Sequence, residues 1–342
     1  MNSGVLIRPP TPTDFIAGSE NGIQAVARLT SGDWRPFLST DEQQAGVYFD
    51  TMACVTFSAL NSIEAQIGWM LTNNLIPSKV LDELKQMGFF DDAGRFNASD
   101  RFTAKMSGTT HQGNYLTAVW DSIRNHGLLP EKDWQFPREQ RSPVFVWDDY
   151  YAEIPQSLKD KAKRFTELFE TSYQWLVPGN SANQINFKFW LQMAPLQLAT
   201  AICSPWNTSD VIQGCALAVG HATVMFCANK EWLDIEDHYK PFQKRLALDY
   251  PVRYALLGIL SIKEQLTTPM PQIDPMLGKR LAGKLLLAVE EHGDLYYVTP
   301  DGRKARIGRT PEDVANFQKA INDKRVPVLG ITNADLNKIA DI

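Results

Sequence analysis

Four cysteines in 342 residues, Cys54, Cys203, Cys215 and Cys227, are too sparse for a structural metal site, and no two stand at the C-x-x-C spacing of zinc ribbons. Basic residues are not clustered either. Thirty-four Lys and Arg stand against 39 Asp and Glu, a net charge of −5, which argues against nucleic acid as a partner. No apolar run reaches the roughly 18 residues that would span a bilayer. The opening Met-Asn-Ser-Gly-Val-Leu-Ile-Arg-Pro-Pro has neither the charged start nor the apolar core of a signal peptide. The expectation is therefore synthesis in a reducing cytoplasm and retention there, or packing into a particle from there. No long-period repeat is visible, and no metal or cofactor is expected. What is present is a globular composition, 44% hydrophobic and 21% charged, long enough for one large domain or two modest ones.

Residues 1–40 are rich in Pro, Gly and Ser and read as an extended arm with a short helix near Gly22–Leu29. Helices are predicted over 50–72, where Phe57, Leu60, Ile63 and Glu64 give an amphipathic repeat, and over Ser78–Met87, Asn114–His126 and Gln156–Thr171. Gly127 ends the third. Residues 90–113 read as a polar, exposed loop. Phe187–Ile202 is a mixed aromatic and apolar stretch around Pro195. His221–Ala228 then reads as a strand, with Trp232–Ile235 as its partner across a turn. Helices first and strands later predict an α+β fold with segregated halves. Three prolines within 267–276 mark a linker. Beyond it come two strands, Lys284–Glu290 and Asp294–Thr299, a Pro300-Asp-Gly302 turn towards Arg303–Ile307, and capped helices from Thr310 and near Gly330. The domains are thus an arm (1–35), a main domain (36–266), a linker (267–280) and a small β-rich domain (281–342).

Cys54 carries the chemistry. It stands at the mouth of its helix, where the macrodipole favours thiolate, the nucleophilic form. Cys203, Cys215 and Cys227 lie in apolar surroundings and read as small buried hydrophobes. A cysteine nucleophile needs a base, and the base needs an orienting group. Of five histidines, His221 follows a glycine and opens the apolar strand. Asp237 lies sixteen positions on, beyond the partner strand, so a hairpin brings the two to its open end. His238 is an alternative base, but it adjoins Asp237 and faces the other way along an extended segment.

The order of a cysteine at a helix start, Gly-His before a strand, and an acid after the next strand resembles the papain-like cysteine peptidases. Gly127-Leu-Leu-Pro-Glu131 followed by Trp134 and Pro137, and Ala194-Pro-Leu-Gln-Leu198, resemble further family segments. The likeness spans roughly 35–260. It implies a papain-like α+β fold, a helical half plus an antiparallel β half, with Cys54 as nucleophile, His221 as base and Asp237 as orienter. The family's oxyanion glutamine has Tyr48 at its usual position, so Gln44, or else Gln43, takes that role beside the Cys54 N–H. Met52-Ala-Cys-Val-Thr56 replaces the usual surround of the nucleophile. His238-Tyr239-Lys240 replaces the segment whose tryptophan shields the histidine pair. The small C-terminal domain resembles modules of bacterial envelope and phage-type proteins, and Tyr296 or Tyr297 is a candidate binding residue there. The implied activity is a cysteine-type endopeptidase, acting on polypeptide or cell-wall peptide and associated with a virion, with other virion proteins met through the C-terminal domain. Two alternatives stand: an inactive papain-like structural or binding protein of a phage particle, and an amidase or transglutaminase-like acyl transferase.

Overall fold

Almost every position from Cys54 to Ile67 is buried. The helix that carries the cysteine, α1 (Cys54–Thr72), is therefore a central helix covered on all sides rather than the amphipathic one its apolar spacing predicts. The computed structural model describes residues 4–8, 10–11, 14–16, 27–44, 49–135, 147–176, 186–202, 206–214 and 219–263. In the tail it describes 285–288, 295–298, 303–308 and 328–331. The chain divides into two compact units, 1–266 and 267–342.

In the first unit a short strand β1 (Val5–Leu6) precedes α1, and α2 (Ser78–Met87) follows it. The stretch read as an exposed loop holds α3 (Asp100–Met106) instead. Ser99 caps α3 by accepting the Phe102 N–H, and Phe96, Ala98, Phe102 and Ala104 are buried. Polar residues there hid a helix of only two turns. The third predicted helix begins two residues late: Asn114–Tyr115 form β2, parallel to β1, and α4 runs Leu116–His126. Further on come α5 (Trp147–Tyr150), α6 (Gln156–Lys163) and α7 (Phe165–Leu168). The charged helix predicted to Thr171 thus stops early. From Phe169 the chain alternates and becomes a strand, β3 (Phe169–Leu176).

After α8 (Phe187–Trp190) the chain is β: β4 (Leu196–Ala201), β5 (Val211–Ile212), β6 (Val219–Ala228), β7 (Trp232–Glu236), β8 (Gln243–Ala247) and β9 (Val252–Ile262). They join β3 in one sheet of order β3-β9-β4-β6-β7-β8-β5, antiparallel except for β5 beside β8. The fold is α+β with its helices ahead of its main sheet, as the order of patterns predicts. Helix α1 packs on β4, β6 and β9 through a buried polar row, Ser58, Ser62 and Gln66, spaced at i, i+4 and i+8. Ser62 donates to Pro195 O at 3.2 Å and Gln66 to Gly258 O at 3.1 Å. Gly258 is required, since a Cβ there would lie 2.0 Å from the Trp120 ring.

In the second unit β10 (Leu285–Ala288) lies between antiparallel β11 (Leu295–Val298) and parallel β13 (Val328–Ile331), with β12 (Lys304–Gly308) beyond β11. Gly330 and Ile331 are strand rather than the start of a helix. Tyr296 is half-buried. The linker, the 300–302 turn, the helix from Thr310, Cys203, Cys215 and most of Gly22–Leu29 lie outside the described residues.

Candidate active site

Cys54 is the first residue of α1, so its N–H belongs to the turn that has no acceptor within the helix. Two anchors fix that turn. Gln197 of β4 donates to Val55 O at 2.8 Å and Ser58 Oγ at 2.9 Å, and accepts the Trp120 indole N–H at 2.9 Å. Tyr151 donates to Thr51 O at 2.7 Å. Just ahead of the thiol, Met52 takes a left-handed φ of 57°, with its N–H on Asp50 Oδ1 at 2.8 Å. Such a backbone costs an ordinary side chain about 1–2 kcal/mol.

The sheet supplies the partners. One step beyond the Val224–Glu236 pair of β6 and β7, Asp237 falls opposite Thr223. His221 shares the Thr223 face, so it is the diagonal neighbour of Asp237. Its Nε2 meets Asp237 Oδ1 at 2.5 Å, and it is hydrogen-bonded to Cys54 as well. Since Nε2 serves Asp237, Nδ1 is the nitrogen that serves the thiol. Burial opposes a charge on His221, but Asp237 and Cys54 outweigh it and push the imidazole up to about 10. Burial also opposes the Asp237 charge. Bonds to His221 and the nearby Lys244 overcome it and hold the carboxyl well below its usual range.

Three surroundings were not foreseen. The indole N–H of Trp206 donates to Asp237 Oδ2 at 2.7 Å, and its ring meets His221 edge-on, 5.9 Å between centroids. The shielding tryptophan missing after Asp237 is thus supplied from a loop before β5. The wholly buried Lys244 donates to the same Oδ2 at 2.6 Å. It points inward on the strand face that it shares with buried Leu246. Tyr239 packs 5.2 Å from the His221 ring.

Gln44 is buried, and its side-chain amide donates to Asp50 Oδ1 at 2.8 Å and Tyr239 Oη at 2.9 Å. It therefore borders the site with both amide hydrogens engaged. Gln43, the other candidate, is exposed in the same loop, and Tyr48 lies outside the described residues. The ring of His238, read as facing the opposite side from Asp237, keeps a nitrogen within 4.8 Å of an Asp237 carboxylate oxygen. It packs on Phe57 at 4.9 Å, with Nε2 3.3 Å from Asn61 Nδ2. Burial holds it neutral, down to about 3. His221, Asp237 and His238 are also the residues grouped closely enough to suggest a metal among the described ones. They fit a cation poorly, because Asp237 already accepts from His221, Trp206, Lys244 and its neighbour's N–H.

A cavity of about 400 Å³ opens beside the site, lined by Asp50, Met52, His111, Asn207, His221 and Tyr239. The thiol itself is wholly buried. The chain at Gly4 crosses it so closely that a Cβ there would lie 2.8 Å from Sγ, and Asn114 N–H donates to Gly4 O at 3.0 Å.

A thiol at the tip of a central helix thus meets a histidine and a carboxylate carried by an antiparallel sheet. This α+β arrangement is the one that the sequence resemblance to papain-like peptidases implies. Solved structures similar to this chain include xylellain, a cysteine protease from Xylella fastidiosa, at 13% identity and a TM-score of 0.48 over 77% of this chain and 96% of that one. The proform of the Amb a 11 cysteine protease, a ragweed pollen allergen, matches at 13% and 0.43 over 70% and 68%. The bromelain protease from Ananas comosus matches at 11% and 0.41 over 67% and 98%. No protein-family model and no curated protein matches the chain. Among the described residues no helix is long and apolar enough to cross a membrane.

Proposed function

We propose that the chain is a cysteine peptidase that hydrolyses peptide bonds through Cys54, His221 and Asp237. The observation that supports this reading is the hydrogen-bonded series from the Cys54 thiol through His221 to Asp237. His221 Nδ1 holds the proton drawn from the thiol, and the thiolate Sγ attacks the peptide carbonyl. The helix-end N–H of Cys54 donates to the oxyanion, a contact worth about 3–4 kcal/mol. The proton then passes from Nδ1 to the leaving amine as the C–N bond breaks, leaving a thioester. Water gives a proton to Nδ1, adds to the thioester, and releases the acid and the thiol. Gln44 becomes the second oxyanion donor once its amide turns from Asp50 and Tyr239.

The buried thiol adds a requirement: residues 4–8 leave the cleft before substrate enters. Iodoacetamide at pH 6 tests both points. Cys54 labels faster than Cys203, Cys215 and Cys227. Removing residues 1–8 speeds its labelling at least tenfold, and His221→Ala abolishes the difference. Equal, slow labelling of all four cysteines in the shortened chain would overturn the reading. Product analysis on peptides and on peptidoglycan stems separates a peptidase from an amidase or acyl transferase, which share an acidic partner for histidine. Residues 281–342 belong to the same proposal as an accessory domain that meets other virion proteins, a role resting on their sequence resemblance. Recovery of the chain in purified particles tests it.

A further inference from the structure

We propose that Lys244 is a positioning residue that offsets the charge of Asp237, so that the acid orients the His221 imidazolium without binding its proton too tightly to give up. The inference rests on the peptidase reading for its importance to catalysis, and on geometry for everything else. Lys244 Nζ carries three protons and has three acceptors: Asp237 Oδ2 at 2.6 Å, Tyr239 O at 2.7 Å and Pro241 O. Three donors met by three oxygens is the pattern of a full ammonium. Its side chain and that of Asp237 are both wholly buried. Nζ also lies 5.4 Å from the Trp206 ring centroid, where a cation is welcome.

The two oxygens of Asp237 divide the work. Oδ1 accepts from His221 and from the His238 N–H, while Oδ2 accepts from Trp206 and Lys244. Each element around the histidine contributes a charge or a polar group. Helix α1 brings the Cys54 thiol, the end of β7 brings Asp237 and neutral His238, the following turn brings Tyr239 bonded to Asp50, and β8 brings Lys244. With Lys244 present, acid and ammonium cancel. The proton on His221 then passes readily to the leaving amine. Without Lys244, a buried uncompensated carboxylate would hold that proton more tightly. Transfer to the leaving amine would then be slower.

The chemistry predicts a reciprocal rescue. Lys244→Met raises the His221 titration midpoint and Asp237→Asn lowers it, each by about one pH unit, a tenfold change in proton affinity. Asp237→Asn/Lys244→Met, an amide beside an apolar chain, brings the midpoint back to within about 0.3 unit. Histidine NMR on the full chain reads this independently of turnover, and peptide hydrolysis is followed beside it. Should Lys244→Met fail to fold, Asp237→Asn against the double variant carries the test. The double variant then has the higher midpoint and melting temperature. A midpoint unmoved by Lys244→Met, or a double variant no better than Asp237→Asn, overturns the proposal. Absence of hydrolysis by any form, with the rescue intact, removes the peptidase reading and leaves the pairing standing. Hydrolysis by the unaltered chain without the rescue does the reverse.

Discussion

Trp206→Phe keeps an aromatic ring beside His221 and removes the indole N–H that is bonded to Asp237. A buried carboxylate oxygen that loses a donor costs about 1–3 kcal/mol. We expect kcat/KM to fall about tenfold, close to 1.4 kcal/mol of transition-state binding. Steady-state kinetics checks this, and an unchanged value would mean that Lys244 alone holds the acid. Residues differed in how far the sequence revealed them. Cys54, His221 and Asp237 stand out through helix-end position and hairpin spacing, which are local properties. Trp206 does not, because only the folded sheet brings that loop over Asp237. Gln44 shows a similar limit. Its identity as a donor is plain from the sequence, but its engagement with Asp50 and Tyr239 depends on tertiary packing.

Among elements, α1 and β1 carry the most weight. Helix α1 was found in the sequence, but its burial was not, because the repeat of Phe57, Leu60 and Ile63 marks only one apolar face and the buried Ser58, Ser62 and Gln66 are polar. They are a polar seam to the sheet: Ser62 and Gln66 donate to the distant Pro195 O and Gly258 O, and Ser58 accepts from Gln197. Helix α3 was missed for the same reason. Strand β1 makes a sharper prediction. A methyl group at position 4 would lie 2.8 Å from Cys54 Sγ and 2.8 Å from Met52 O, so the segment must shift. Gly4→Ala is expected to speed Cys54 alkylation several-fold while changing global stability little. Thiol labelling and a thermal melt read the two effects, and slower labelling would mean that the segment does not shield the thiol. Such a gain from adding bulk is the reverse of what substitution beside a site ordinarily does.

At the scale of the whole molecule, buried acids shape stability. Burial first, then Asp41 and Glu42, push Glu236 up to about 8 from 4.5. The folded chain keeps that proton while an unfolded one releases it, so this contribution is complete below pH 4.5 and is lost as pH rises through 8. Burial and Glu42 likewise raise Glu64 and Asp100. His221 adds a loss between 6.5 and about 10. His238 acts oppositely: held at about 3, it gives stability above pH 6.5 that is lost as pH falls through 3. Glu236→Gln should therefore gain melting temperature over the parent chain, by roughly 5 °C more at pH 9 than at pH 5. Parallel melting curves across that range would refute it. The shifts of Glu236, Glu64 and Asp100 were not legible in the sequence, since they arise where a loop, α1, α3 and β7 converge. Strand β1 finally bears on time as well as space. It is two residues long and joined to β2 alone. So small a ladder opens at a fraction of the free energy of unfolding. The resting chain is then an equilibrium of closed and open cleft, and the thiol reacts at its own rate multiplied by the open fraction.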